Sequence, residues 1–181
     1  MALARNNSTL DLPIDDFETR GVGSDHGDLR LWLRMMAVHK LVTNEARRRL
    51  RMSFNMSLSR FDLMAQLDSN SAGLRMGEIS NRLMVTTGNI TGLTDELEAE
   101  GLVERSADPR SRRALRVRLT RKGRIAFRAA AKANEGWIAE FFSVLSARDK
   151  KAMFEILGAQ KAFLQTRVQQ TGRPSVKQTS N

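Results

Sequence analysis

Cysteine is absent from this 181-residue chain, histidine occurs twice and proline three times. Each scarcity excludes something. Without thiols there is no disulfide, no thiolate zinc or copper site and no sensing by cysteine oxidation, which fits a reducing compartment, the cytoplasm. His26 and His39 are too few to build a metal cluster by themselves, so neither a metal nor another cofactor is expected. No stretch approaches the roughly 18 apolar residues of a membrane-spanning helix. The residues from Met1 to Leu10 carry a lone Arg5 and no apolar run of signal-peptide length, so no membrane partner is expected. The chain offers no nucleophile with a nearby histidine and no phosphate loop, and an enzyme is not expected. Pro13, Pro109 and Pro174 leave the long intervals between them open to helix.

What the chain has in excess is positive charge, and it has it in one place. The net charge is +10. Between Gly101 and Lys132 eleven Lys or Arg stand against Glu104 and Asp108, so +9 falls in about a sixth of the length. Concentrated like charge repels itself and gains nothing for the fold. The compensation expected is a polyanion whose counterions are released on binding, and nucleic acid is the first candidate. Hydrophobic residues make up 41% of the chain, enough for a real core.

Residues 1–27 are polar and slightly acidic and read as a loose arm. Leu29 to Leu50 read as a first long helix whose middle, from Leu31 to Val42, is apolar nearly all round. Such a helix needs cover on several sides, and in a chain this short a second subunit supplies it. Leu58 to Leu67 read as a second helix capped by Ser57 or Ser59. Met76 to Met84 read as a third, with Met76, Ile79 and Leu83 at i, i+3 and i+7. After a tight turn at Val85 comes a fourth from Thr86 to Glu100. Helix resumes from Arg121 to Ala133 and can continue through Gly136 to Phe142. Arg148 to Val168 close the helical part, entered through Ser146 as cap with Asp149 three residues on. The tail, 171–181, is expected to be disordered. The resulting division is an arm (1–27), a dimerisation region (28–57 and 121–170), a DNA-binding module (58–120) and a tail (171–181).

Placed at 100° intervals, Ile90, Leu93, Thr94 and Leu97 share the packing face of the fourth helix. Gly88, Gly92 and Ala99 fall on the opposite face. A helical Gly costs about 1 kcal/mol against Ala, so two on an exposed face suggest close approach to another surface. Thr86, Thr87, Asn89 and Thr91 crowd the first turn, where hydroxyls and an amide can meet phosphates and base edges in a major groove. Asp95, Glu96, Glu98 and Glu100 crowd the far end, so only the N-terminal half would enter. Taken alone, this reads more readily as an ordinary amphipathic helix with a threonine cap. The segment that follows decides between the two.

Val103 to Thr120 read as a short strand, a nine-residue basic loop containing Asp108-Pro109-Arg110-Ser111-Arg112-Arg113, and a return strand. In Leu115-Arg116-Val117-Arg118-Leu119 apolar residues alternate with arginines, so one face buries while the other presents guanidinium groups. Asp108 can fold the loop tip and hold Arg110 outward, toward the narrow, electronegative minor groove. A helix with a polar start followed by a basic hairpin is a DNA-binding winged helix. The fold class expected is mainly α with a small two-stranded β-wing, flanked by N- and C-terminal helices that dimerise.

Met76-Gly77-Glu78-Ile79-Ser80-Asn81-Arg82-Leu83, the run from Asn89 to Arg105, Asp108-Pro109-Arg110-Ser111-Arg112-Arg113 and Leu119-Thr120-Arg121-Lys122-Gly123 together resemble the MarR family of bacterial transcription regulators. The segments stand in the family's order and spacing over about 60 residues. The resemblance implies a homodimer, held by first and last helices, that binds a pseudo-palindromic operator and represses until a small ligand arrives. It places the groove-reading positions on Thr86, Thr87, Asn89 and Thr91 and the minor-groove arginine on Arg110, braced by Asp108, with Arg112 and Arg113 beside it. Gly92 departs from the Arg or Pro of many members, and Ser111 from the common Asp or Glu.

The resemblance also implies an effector such as an aromatic acid or its CoA thioester, lying between the dimerisation helices and the winged module. Trp32, Met36 and His39 recur at i, i+4 and i+7 on the first helix, with Arg34 among them, and an apolar wall with a few polar groups suits such an anion. The same spacing equally fits Trp32 and Met36 in the core with Arg34 and His39 exposed. Arg47-Arg48-Arg49-Leu50-Arg51 is too long a run for one helix face and meets operator phosphates, a CoA phosphate or only water. A different class of function remains beside the regulator: a sequence-independent architectural DNA-binding or RNA-binding protein whose wing tracks backbone without reading it.

Overall fold

The computed structural model describes residues 26–108 and 111–171, with side chains at all of these except 111–113 and 169–171. The expected arm, apart from His26 and Gly27, and the expected tail beyond Thr171 lie outside the described residues, as does Arg110. The elements are α1 (Gly27–Phe54), α2 (Leu58–Asp68), β1 (Leu74–Arg75), α3 (Met76–Leu83), α4 (Thr87–Ala99), β2 (Val103–Asp108), β3 (Ser111–Leu119), α5 (Arg121–Phe141) and α6 (Ala147–Thr171). No helix among them is long and apolar enough to cross a membrane.

Caps set most of the boundaries. Ser57 accepts a hydrogen bond from the Arg60 backbone N–H, and Ser146 accepts one from Asp149 at 3.1 Å. Ser59 does not cap α2. Helix α1 runs past Leu50 for a further turn, to an Asn55 cap in the left-handed region at φ 48°. The tight turn after α3 is made by Met84, at φ 55°, which points into solvent with 93% exposure.

The sheet has three strands in the order β1-β3-β2, antiparallel throughout. This corrects the two-stranded expectation: Leu74 pairs with Val117 and Arg75 with Arg116, tying the wing to the residues just before α3. The hairpin is also longer and its loop shorter than the nine residues read from the sequence. The ladder runs from Val103 opposite Leu119 to Ala107 opposite Leu115, and then Asp108 faces Ser111. Residues 112–114 are therefore extra on β3 and form a bulge, a device that bends a strand and re-aims its side chains.

One core binds these parts. Leu63, Met64 and Leu67 of α2, Ile79 of α3, Ile90 and Leu97 of α4, and Val103, Val117 and Leu119 of the wing are buried together with Leu50 and Phe127 of the flanking helices. The rings of Phe61 and Phe127 lie 5.4 Å apart, seating α2 on α5. Helix α5 starts hard against the end of α4. Thr120 caps it through the Gly123 N–H at 3.0 Å and donates to the Gly101 carbonyl at 2.7 Å. A Cβ on Gly123 would stand 1.8 Å from the Leu102 carbonyl oxygen, so only glycine permits this approach.

Further along, α5 packs on α1 around Arg49. Its guanidinium donates to Glu140 at 2.6 Å and to Glu45 at 2.8 Å, and lies 4.9 Å from the Phe141 ring centre and 6.0 Å from that of Trp137. Hydrogen bonds from Arg48 and Arg49 hold the Glu45 carboxyl down to about 2, and Arg49 lowers that of Glu140. The outer faces of α1 and α6 stay bare. Leu31, Trp32, Met35, Phe154, Ile156, Phe163 and Leu164 are all exposed in the single chain.

Candidate nucleic-acid interface

The α3–turn–α4 unit sets the recognition helix. Glu78 accepts a hydrogen bond from the Arg75 backbone N–H at 2.7 Å and so closes the start of α3. Thr86 opens α4 as its N-cap. On α4, Ile90, Thr94 and Leu97 are buried and Leu93 half-buried, as the helical spacing predicts. Thr94 is tolerated in the core because its hydroxyl donates to the Ile90 carbonyl at 2.7 Å. Around Gly88 and Gly92 an added Cβ would meet nothing within 4 Å, so both glycines leave bare backbone facing solvent.

The four groove-reading candidates are all exposed at the start of α4, but they are not equivalent. Thr86 is occupied as the cap, accepting from the Asn89 N–H at 3.5 Å. The Thr87 hydroxyl leans toward Ser80 at 3.5 Å, and the Thr91 hydroxyl donates to the Thr87 carbonyl at 3.0 Å. The Asn89 amide alone of the four makes no hydrogen bond within the described residues, and it can offer both a donor and an acceptor. It lines an open cleft of about 480 Å³ together with Gly88, Gly92, Ser59, Asp62 and Glu96. Burial pushes the Asp62 carboxyl up from its ordinary value.

The wing is braced from beneath. Asp108 is buried, and its carboxylate accepts from Arg75 Nε at 2.5 Å and lies 3.1 Å from Arg116 Nε. Arg116 also donates to the Gly73 carbonyl at 2.8 Å. The sequence assigns Asp108 to hold Arg110, which lies outside the described residues; among the described residues the Asp108 carboxylate also holds Arg75 and Arg116. Arg75 is the functional residue the sequence reading missed. A two-residue strand has no periodicity to betray it, and its partner Asp108 stands 33 residues away. Arg112 belongs to β3 in the bulge, as does Arg113, and their side chains are outside the description.

The charge excess is partly spent inside the fold. Arg105 pairs with Asp95 and Glu98, Arg118 with Glu104, Arg60 with Glu100. Three of the four acids at the far end of α4 thus anchor arginines rather than merely facing away, while Glu96 lines the open cleft. On α1, Arg47 bonds Asn44, Arg48 bonds Glu45, and Arg49 bonds Glu45 and Glu140, so most of that run is engaged within the helix pair.

The effector candidates do not converge on a cavity in the single chain. Trp32 is 55% exposed and Met36 and His39 are exposed as well. Arg34 lines a shallow depression with Gly27, Arg30 and Leu31. A larger apolar groove, about 550 Å³, runs between α1 and α6 instead, lined by Met35, Met84, Leu157, Lys161, Leu164 and Val168 among others.

A trihelical core with a three-stranded wing, a polar recognition-helix start and a braced hairpin defines a winged helix-turn-helix protein. The MarR family matches residues 56–115. A MarR family transcriptional regulator of known structure from Silicibacter pomeroyi is 32% identical, with a TM-score of 0.64 over 81% of this chain and 99% of that one. The chain belongs to the MarR family. Among curated relatives, the HTH-type transcriptional regulator YfiV of Bacillus subtilis is 29% identical over 58% of this chain and 64% of its own length. PrsX of Escherichia coli, also named as an HTH-type transcriptional regulator, is 33% identical over 46% of this chain and 50% of its own. The chain thus spans between half and two thirds of the length of these curated relatives.

Proposed function

We propose that this protein is a dimeric DNA-binding transcriptional regulator that represses from a two-fold operator and is released by a small lipophilic anion. Residues 58–120 form the DNA-reading module, and 28–57 with 121–170 the dimerisation region. The observation that carries the reading is the pairing of an exposed, uncommitted Asn89 beside bare Gly88 and Gly92 with a hairpin whose base is fixed by Asp108 and whose bulge bears Arg112 and Arg113. Asn89 suits the N6/N7 edge of adenine, which it can engage through two hydrogen bonds. Thr86, Thr87 and Thr91 serve the backbone phosphates and the helix start, and Arg110 reaches the minor groove from the hairpin tip.

The bare faces of α1 and α6 support the dimer, since apolar area of that extent calls for a partner. Trp32, Met36, Arg34 and His39 are then completed as a pocket only when a second subunit covers α1. An aromatic acid or its CoA thioester is the effector class that suits such a wall.

A gel-shift titration with the operator selected from random duplexes tests the reading. Binding should exceed that of nonspecific DNA by roughly 10^3-fold or more. Arg110→Ala should weaken it by about 1 to 3 kcal/mol. Equal affinity for every sequence, or for RNA, would replace the regulator by a protein that tracks backbone.

A further inference from the structure

Part of the cationic charge lies where no operator contact needs it. Arg121, Lys122, Arg128 and Lys132 are exposed along one side of α5. The first turn of α5 is stitched to the C-terminal end of α4, with Lys122 Nζ donating to the Glu100 carbonyl at 2.7 Å. That is about 20 Å along α4 from the end that would enter a groove. The arrangement also works against the helix. Arg124 with Arg128 and Arg128 with Lys132 are like-charged pairs at i, i+4, and α5 has no acid in its first turn. The acid nearest to Arg128, Asp68, is a loose 3.8 Å away.

In the middle of these cations stands Ile125, 63% exposed. With Arg121, Lys122 and Ala126 it lines a shallow depression of about 550 Å³. A nucleic-acid backbone would use the charges and gain nothing from the isoleucine. An acidic peptide carrying apolar side chains uses both.

The chain supplies such a peptide outside the described residues. Leu10-Asp11-Leu12-Pro13-Ile14-Asp15-Asp16-Phe17-Glu18 interleaves four acids with five apolar residues and has no base. We propose that residues 10–18 of one copy dock on the Arg121–Lys132 face of α5 in a second copy. This rests on the dimer reading above. In its own chain the end of the segment nearer to α1, Glu18, falls short of the middle of that face. The Arg49–Glu140 pair and the Phe54–Trp137 ring contact set α1 and α5 running in opposed senses. Gly27 lies about 33 Å along α1 on one side of that crossing and Ile125 about 22 Å along α5 on the other, so at least about 40 Å separate them. The nine residues from Glu18 to Gly27 span at most about 32 Å.

Carbodiimide crosslinking of the full chain, mixed from unlabelled and nitrogen-15-labelled protein, tests this, because the reagent joins carboxylates to lysines already in contact. Mixed-isotope products linking Asp11, Asp15, Asp16 or Glu18 to Lys122 or Lys132 are expected. They should fade at high salt and with Arg121→Glu combined with Ile125→Ser, while the circular dichroism melt stays cooperative. Products within single chains only, or none from protein that sediments as a dimer, overturn the proposal and leave the dimer reading intact. Protein that sediments as a monomer overturns both. Crosslinks that persist in Arg121→Glu/Ile125→Ser while nonspecific DNA affinity falls would make α5 a second DNA surface instead.

Discussion

At the scale of single residues, Gly92 and Asp108 separate what serves the fold from what serves recognition. Nothing lies within 4 Å of a Cβ added at Gly92, and its φ is helical, so the folded state gains nothing from the missing methyl. Gly92→Ala should therefore stabilise the protein by about 0.5 to 1 kcal/mol in urea titration, since alanine is the better helix former. If the bare backbone exists for close approach to a duplex, operator affinity should fall in the same variant. A gain in both would remove the glycine from the interface. Asp108 behaves in the opposite way. Its buried carboxylate holds Arg75 and Arg116, and Asp108→Asn leaves two guanidinium groups with a weaker partner. A loss of about 3 kcal/mol is expected by thermal or chemical unfolding, on the scale of a broken buried ion pair. The partner Arg75 is 42% exposed, which puts the loss toward the lower end of that range.

At the scale of elements, the contact of α1 with α5 should be sensitive to acid. The Glu45 carboxyl sits near 2 in the fold against an ordinary 4.5, and that of Glu140 is lowered too. A group depressed by folding contributes stability above its unfolded value and loses it as pH falls through the folded one. The contribution should thus be complete above about pH 4.5 and fade toward pH 2. Melting wild-type protein and Arg49→Met at pH 6 and pH 3 checks this: the gap between them should narrow on acidification. A gap that stays constant would show that ring contact, rather than charge, carries Arg49.

How much of these elements was legible varied with the kind of signal. The packing face of α4 could be read residue by residue, because Ile90, Thr94 and Leu97 repeat at helical spacing and a helix is its own local context. The Ser57, Thr86 and Ser146 starts were legible for the same reason. Strand β1 was not, since two residues carry no alternation and Leu74-Arg75 becomes a strand only when β3 arrives beside it. The hairpin length was misjudged because arginine-rich sequence reads as loop, whereas Asp108 draws Arg75 and Arg116 together and lets the ladder continue. The charge left over for a polyanion was overcounted for a related reason. Arg105 and Arg118 find carboxylates that a charge count cannot place.

At the scale of the whole molecule, the outer faces of α1 and α6 stay uncovered in one chain. Phe154 is 80% exposed, and with Phe163, Leu164 and the apolar side chains of α1 it leaves far more bare hydrocarbon than scattered surface residues account for. Phe154→Asp should shift sedimentation from dimer to monomer while circular dichroism still reports a folded winged module. A dimer that survives both Phe154→Asp and Leu164→Asp would move the interface elsewhere.

The seam where Gly123 touches the Leu102 carbonyl turns α5 into a lever. The far arm of that lever runs to the contact with α1; the near arm is the wing, rooted at Thr120 and about 20 Å long over the six residues from Val103 to Asp108. With no methyl group and no slack at the fulcrum, a tilt of α5 by about 10° would swing the hairpin tip through about 3.5 Å, close to the spacing of successive base pairs, so a small displacement at one end would re-aim the wing at the other.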